Sequence, residues 1–202
     1  MAQIVGACLA RNEAAPDRYL DVALRNALSL CDRVLLLDDG STDSTATLAQ
    51  TLGAEVVTRE SAGMWGTDES SARQQLWELA SQRGDWIYIF DADHELLGIT
   101  KEELHLLCEA SSVDAWACPL WDCWDNPETH RVDGFWQAWR FPRPWLFKAL
   151  PGQWPSRGIH SGHAPLRPWR IGLCPPGMGI RHWGYVLKEH RLRKAEKYLD
   201  LA

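Results

Sequence analysis

No stretch of the 202-residue sequence approaches the roughly 18 consecutive apolar residues of a membrane-crossing helix, so no transmembrane segment is expected. The opening MAQIVGACLARNE has no charged leader before its short apolar run and does not read as a signal peptide. CxxC pairs are missing. The six cysteines, at 8, 31, 108, 118, 123 and 174, form no dense framework, so they read as reduced thiols in a cytoplasmic setting. A zinc site built from Cys118, Cys123, His160 and His163 would need an unfamiliar spacing. Neither GxxxxGKS nor GxxxxGKT occurs, which excludes a P-loop, and without GxSxG there is no nucleophile elbow. The nearest approach to GxGxxG, PPGMGIRHWG, has His182 in place of the third glycine and no strand before it. Internal repeats and low-complexity segments are also absent.

What is present divides unevenly. Hydrophobic residues make up 46% of the chain, enough for one full core, and a single domain over 1–202 is expected. Residues 1–115 hold 20 acidic against 8 basic side chains, whereas 116–202 hold 7 against 13. The second half also carries nine of the twelve tryptophans and ten of the eleven prolines. Its basic residues are dispersed rather than clustered, which argues against a dedicated nucleic-acid surface.

The first half alternates strand and helix signals. Apolar runs at 4–10, 34–37, 54–58 and 85–90 suit buried strands. Helical spacing follows Asp17, which is placed to cap it, and recurs over 41–52 and 68–83, the last with Asp68 as its cap. Thr100 and Glu103 form a capping box. Strands joined by single helices imply right-handed crossovers and an α/β fold whose central sheet is mostly parallel and flanked by helices. Residues 116–183 predict irregular Trp- and Pro-rich structure with one or two strands. The end of the chain predicts a helix with Leu187, Leu192, Ala195 and Leu199 on an apolar stripe.

In such sheets, ligands bind beyond the carboxyl ends of the strands. Three clusters stand there: Arg11-Asn12-Glu13, Asp38-Asp39 and Asp91-Ala92-Asp93. Asp91 and Asp93, two apart on extended chain, project to one side and can supply oxygens to Mg²⁺ or Mn²⁺, the rest of whose ligands come from water and phosphates. Asp38 and Asp39 can accept from a pyrimidine ring N–H or a ribose hydroxyl. Turn and capping chemistry accounts for Ser41 to Asp43 but not for the doubled aspartate.

The order ARNE (10–13), LLLDDGSTDST (35–45), SSARQQ (70–75) and DWIYIFDADHEL (85–96) resembles a family-2 glycosyltransferase of the GT-A fold. RHWGYVLKEHRLRKAEKY (181–198) and THRVDGFW (129–136) are similar to a bacterial and phage branch ending in an H-x-G-Y motif. The resemblance implies a nucleotide-sugar half over 1–115 and an acceptor-side half with a C-terminal helix over 116–202. It implies a nucleotide-diphosphate sugar donor, most naturally a UDP-sugar, seated by Ala10, Asn12, Glu13, Asp38, Asp39, Asp91 and Ala92. Arg73 is either turned to the diphosphate or a solvated helix arginine.

The metal, Mn²⁺ or Mg²⁺, would be held by Asp91 and Asp93, with His182 as a late ligand, or His182 instead packs against backbone. Inverting transfer also needs a general base for the acceptor hydroxyl. Asp133 sits among aromatics that can desolvate it, with Asp122, Asp125 and His160 as competitors. Trp121, Trp124, Trp136 and Trp139 either fill the core or offer a stacking platform. The acceptor is open: a glycan, a small molecule or a modified nucleic acid. The rivals are a nucleotidyltransferase, against which ARNEAAP lacks the Gly-rich basic loop, and a non-catalytic sugar- or nucleic-acid-binding module, which would leave the aspartate clusters without a task.

Overall fold

The computed structural model describes residues 1–59, 69–109, 112–133, 137–154 and 162–200, with side chains through 196. Four consecutive parallel strands form the middle and one edge of the large sheet: β1 (Ile4–Ala10), β2 (Arg33–Asp38), β3 (Glu55–Thr58) and β4 (Trp86–Phe90). Helices α1 (Leu20–Leu30), α2 (Thr45–Leu52) and α3 (Glu69–Ser81) connect them. The remaining elements are β5 (His94–Leu97), α4 (Lys101–Glu109), β6 (Ala115–Cys118), β7 (Leu120–Trp124), β8 (Asn126–His130), β9 (Arg143–Lys148), β10 (Ile171–Leu173), β11 (Gly179–His182) and α5 (Lys188–Asp200). A seven-stranded sheet has the order β10-β6-β9-β4-β1-β2-β3, with β9 antiparallel to both neighbours. This is the α/β architecture predicted for a GT-A chain.

The apolar runs are continuous because helices cover both faces of this sheet. Along β4, Trp86, Tyr88 and Phe90 enter one core with α1 and α4, while Ile87 and Ile89 enter another with α3. Parallel register pairs Ala10 with Asp38, Asp38 with Thr58 and Cys8 with Phe90. The carboxyl ends of β1 to β4 therefore finish close together, and the chain reaches Asp91 one residue past the last paired position. Among the described residues, no helix is long and apolar enough to cross a membrane.

Several boundaries differ from expectation. Asp17 does not cap α1, which starts at Leu20; its carboxylate instead accepts from Arg193 and contacts His190 in α5. Helix α2 begins at Thr45 rather than 41, because Ser41 and Asp43 are spent on the loop after β1. Asp68 lies outside the described residues. The capping box is present: Thr100 N–H donates to Glu103, and Glu103 N–H to Thr100 Oγ1.

The second half holds more regular structure than its composition predicts. A four-stranded sheet, β5-β11-β7-β8, stands beside the first. The β7–β8 hairpin turns on Asp125 at φ 65°, so no glycine marks it. Of the stripe predicted for helix α5, Leu187, Leu192 and Ala195 are exposed, and the Leu199 side chain lies outside the described residues. The helix is fastened by His190, which is buried, and by Arg191 donating to the carbonyls of Tyr185 and Val186.

Candidate active site

The three strand-end clusters occupy one edge of the large sheet. Asn12 follows β1 in the left-handed region (φ 55°), which asparagine tolerates better than most residues. Its N–H donates to Ser41 Oγ, and its Oδ1 accepts from Thr42 N–H at 2.8 Å. Glu13 N–H donates to Thr45 Oγ1. The loops after β1 and β2 are thus stitched together. Burial pushes the Glu13 carboxyl up to about 7, against the opposing pull of Arg18.

The doubled aspartate divides its work. Asp38 accepts from Ser41 N–H and Oγ and so closes the turn. Asp39 forms a buried ion pair with Arg59 at 2.7 Å, and Arg59 also reaches Gln75 and Ser71. Removing either partner of such a pair strands a buried charge, at a cost of about 3–5 kcal/mol. The second oxygen of Asp39 is buried with no hydrogen-bond partner among the described residues, leaving an acceptor for a ligand. Sequence reading missed Arg59, although it is the residue that follows β3 and the strand-end rule applies to it equally.

Asp91 and Asp93 leave β4 with partly exposed carboxylates. Arg73 is buried and ties Glu69 to Asp91, with Nη2 3.6 Å from Asp91 Oδ1, so it is not a solvated helix arginine. Burial opposes ionisation of Asp91, but contacts from His163, His94 and Arg73 hold its carboxyl well below the usual range. Ala92 is buried between the two carboxylates, and Ala10 is buried at the end of β1.

His182 ends β11 beside this pair. Its Nε2 lies 3.2 Å from Asp93 Oδ2, and its Nδ1 lies 2.6 Å from Asp122 Oδ1. Burial would lower its pKa, but Asp93 and Asp122 raise it to about 9, so a metal ion would have to displace the Nε2 proton. His182 is therefore bonded to carboxylates and not merely packed against backbone. The carboxylate behind Nδ1 is the arrangement that orients an imidazole for ligation. Asp122, a candidate for the general base in the sequence, here directs its carboxylate at His182.

His94, which sequence reading overlooked, completes the group: ligand atoms of Asp93, His94 and His182 lie within 4.8 Å of one another. Burial pushes His94 down to about 4, so the ring is neutral. Asp91 N–H donates to Nδ1, which leaves the ring proton on Nε2, facing Asp91 at 3.9 Å and Asp93 at 3.8 Å. In that tautomer His94 steadies the carboxylates and offers no lone pair to an ion. His163 stands 3.8 Å from Asp91 and packs on Trp145.

Asp93 and the oriented imidazole of His182 offer a carboxylate oxygen and a ring nitrogen to a divalent cation, with Asp91 alongside at 3.9 Å from His94 and room kept open by Gly184. A Cβ added there would stand less than 3.0 Å from Asp93 Oδ2, His182 Nε2 and Lys194 Nζ.

Asp133 lies beyond β8 and is exposed, so the desolvation expected of it is not seen among the described residues; its Oδ2 accepts from Arg131 Nε. Phe135 and Trp136 lie outside the described residues, as does His160, whereas Trp139 is exposed. Trp121 packs over Gly179, and Trp124 lies between the guanidinium groups of Arg131 and Arg191, at 4.6 and 4.3 Å. Asp125, another candidate for the base, pairs with Arg191.

The glycosyl transferase family 2 profile matches residues 9–180. An uncharacterized Mycobacterium tuberculosis protein is 30% identical over 199 residues, covering 91% of this chain and 47% of its own. An uncharacterized glycosyltransferase of Rickettsia bellii is 29% identical over 106 residues, or 52% of this chain and 33% of that protein. Among solved structures, S. aureus TarS aligns at 18% identity and a TM-score of 0.49 over 65% of this chain and 23% of that one. The chain spans less than half the length of the curated relatives it matches.

Proposed function

The chain belongs to glycosyl transferase family 2, and on that premise we propose that it moves a sugar from a nucleotide-diphosphate sugar, a UDP-sugar, to an acceptor hydroxyl with inversion. The observation that carries this reading is the meeting of Asp93, His94 and His182 at the sheet edge, with Asp91 3.9 Å from His94 and Asp122 holding the His182 imidazole. In this reading 1–115 form the donor half and 116–202 the acceptor half of one domain. All six cysteines are free, which supports a reducing, cytoplasmic setting.

Asp91, Asp93 and His182 would hold Mn²⁺ or Mg²⁺, which when bound supplies positive charge to the departing diphosphate. The buried free oxygen of Asp39 accepts from the base or ribose, and Asn12, Glu13 and Asp38 shape the loop around it. Ala10 and Ala92 leave space for the nucleotide because they carry only a methyl group. Arg73 keeps Asp91 ionised and faces the diphosphate side. Asp133 takes the proton from the acceptor hydroxyl. The deciding experiment incubates the protein with a panel of nucleotide sugars and Mn²⁺ and scores nucleoside diphosphate release. Release from one donor supports the reading, whereas no release from any donor, with or without candidate acceptors, overturns it.

Asp122 allows a separate check. Asp122→Asn keeps the shape but removes the charge behind Nδ1 and lets an amide N–H face the ring. Loss of such a partner typically costs about 10–100-fold in metal affinity. Titration of Mn²⁺ into the variant with UDP present should show that loss with the thermal midpoint little changed. Unaltered affinity would make the Asp122–His182 bond structural only.

A further inference from the structure

Lys194, in the middle of α5, sends its ammonium group into the site. Its Nζ lies 3.6 Å from Asp93 Oδ2 and 3.4 Å from His182 Nε2, over the ring of Tyr185 at 4.2 Å. The placement is anchored on both sides. Asp17 holds Arg193 and His190, and Arg191 bonds Asp125 and the backbone before α5. The absence of a Cβ at Gly184 is what lets Nζ approach Asp93 and His182 so closely.

Both carboxylates already have close partners without any ion: Arg73, shared with Glu69, lies 3.6 Å from Asp91, and Lys194 lies 3.6 Å from Asp93, which also faces His182. A divalent ion arriving alone would meet partnered ligands and a resident cation on two of its own ligand atoms. A diphosphate brings the negative charge that both cations then need. We propose that Lys194 is a tethered cation that occupies the metal's ligand atoms in the free protein and moves onto the diphosphate when nucleotide binds. Metal and nucleoside diphosphate are then taken up together, and metal alone binds poorly. This rests on the metal-dependent reading above, and it adds a residue and an order of binding that the reading does not contain. Lysine suits the task because a compact ammonium on a four-carbon stem moves a few ångströms without moving the helix.

The test uses the full chain with Mn²⁺ and UDP as probes. Free Mn²⁺ is followed by electron paramagnetic resonance, without and with UDP, in the wild type, Lys194→Gln and Lys194→Arg. Coupling between two ligands typically amounts to about 5–150-fold in affinity. Lys194→Gln should bind Mn²⁺ alone more tightly and UDP–Mn²⁺ more weakly, so that the measured coupling falls about fivefold or more. Lys194→Arg should keep the wild-type pattern, which also checks that the helix still docks. Mn²⁺ affinity in Lys194→Gln that is unchanged, or that falls together with UDP affinity, overturns the proposal. Uptake of no Mn²⁺ by any of the three, even with UDP, would remove the metal from the mechanism altogether, a failure distinct from that of Lys194.

Discussion

Asp93→Asn abolishes turnover while the protein stays folded. The carboxylate is the common partner of His182 Nε2 and Lys194 Nζ, and Asn preserves its outline while removing its charge. Burial works against that charge, yet His182 and Lys194 hold the Asp93 carboxyl well below the usual range, so at neutral pH it is always ionised. Without it Lys194 and His182 lose their shared carboxylate, and the divalent ion meets their charge with no Asp93 to offset it. Losing a group that stabilises developing negative charge costs about 10²–10³-fold, and losing the metal with it should bring the fall in kcat to at least about 10³-fold. Asp93 is partly exposed, so the thermal midpoint should move by only about 4 °C or less. The measurement is nucleoside diphosphate release beside a thermal melt. Substantial turnover in this variant, and in excess chelator, would leave Arg73 and Lys194 to carry the diphosphate charge unaided.

The legible part of the molecule is the part governed by local rules. Strands buried on both faces read as unbroken apolar runs, so β1 to β4 and the acidic residues at their ends could be placed from sequence. Groups fixed by partners far along the chain could not. Asp17 reads as a helix cap but is held by α5, 176 residues from Arg193. His182 meets Asp93 across 89 residues because β11 pairs with β5, a pairing that no local pattern announces. The apolar stripe of α5 misled because polar contacts fix that helix; its spacing is real but faces outward. The aspartate pair was noticed as an unexplained charge, and the explanation, Arg59, stood at an equivalent strand end in plain view.

The second large effect falls on Asp133. Asp133→Asn should lower kcat by about 10²–10⁴-fold, the typical worth of a general base, while leaving donor binding intact. The structure links this residue to the metal side through a run of side chains. Asp133 accepts from Arg131, whose guanidinium lies over Trp124; Trp124 stacks with Tyr185, and Tyr185 meets His182 edge-on at 5.1 Å. An acceptor sugar or base lying along these aromatic faces would present a hydroxyl between Asp133 and the donor. The amide of Asn still accepts from Arg131, so the loop after β8 should survive and the loss should fall on proton removal alone. Steady-state kinetics separate the cases: an unchanged donor KM with a collapsed kcat fits a base, whereas a raised KM with a normal kcat fits a binding group. If turnover stays near normal, the proton goes elsewhere. The next candidates among the described residues are then Asp122, bonded to His182, and His163, 3.8 Å from Asp91.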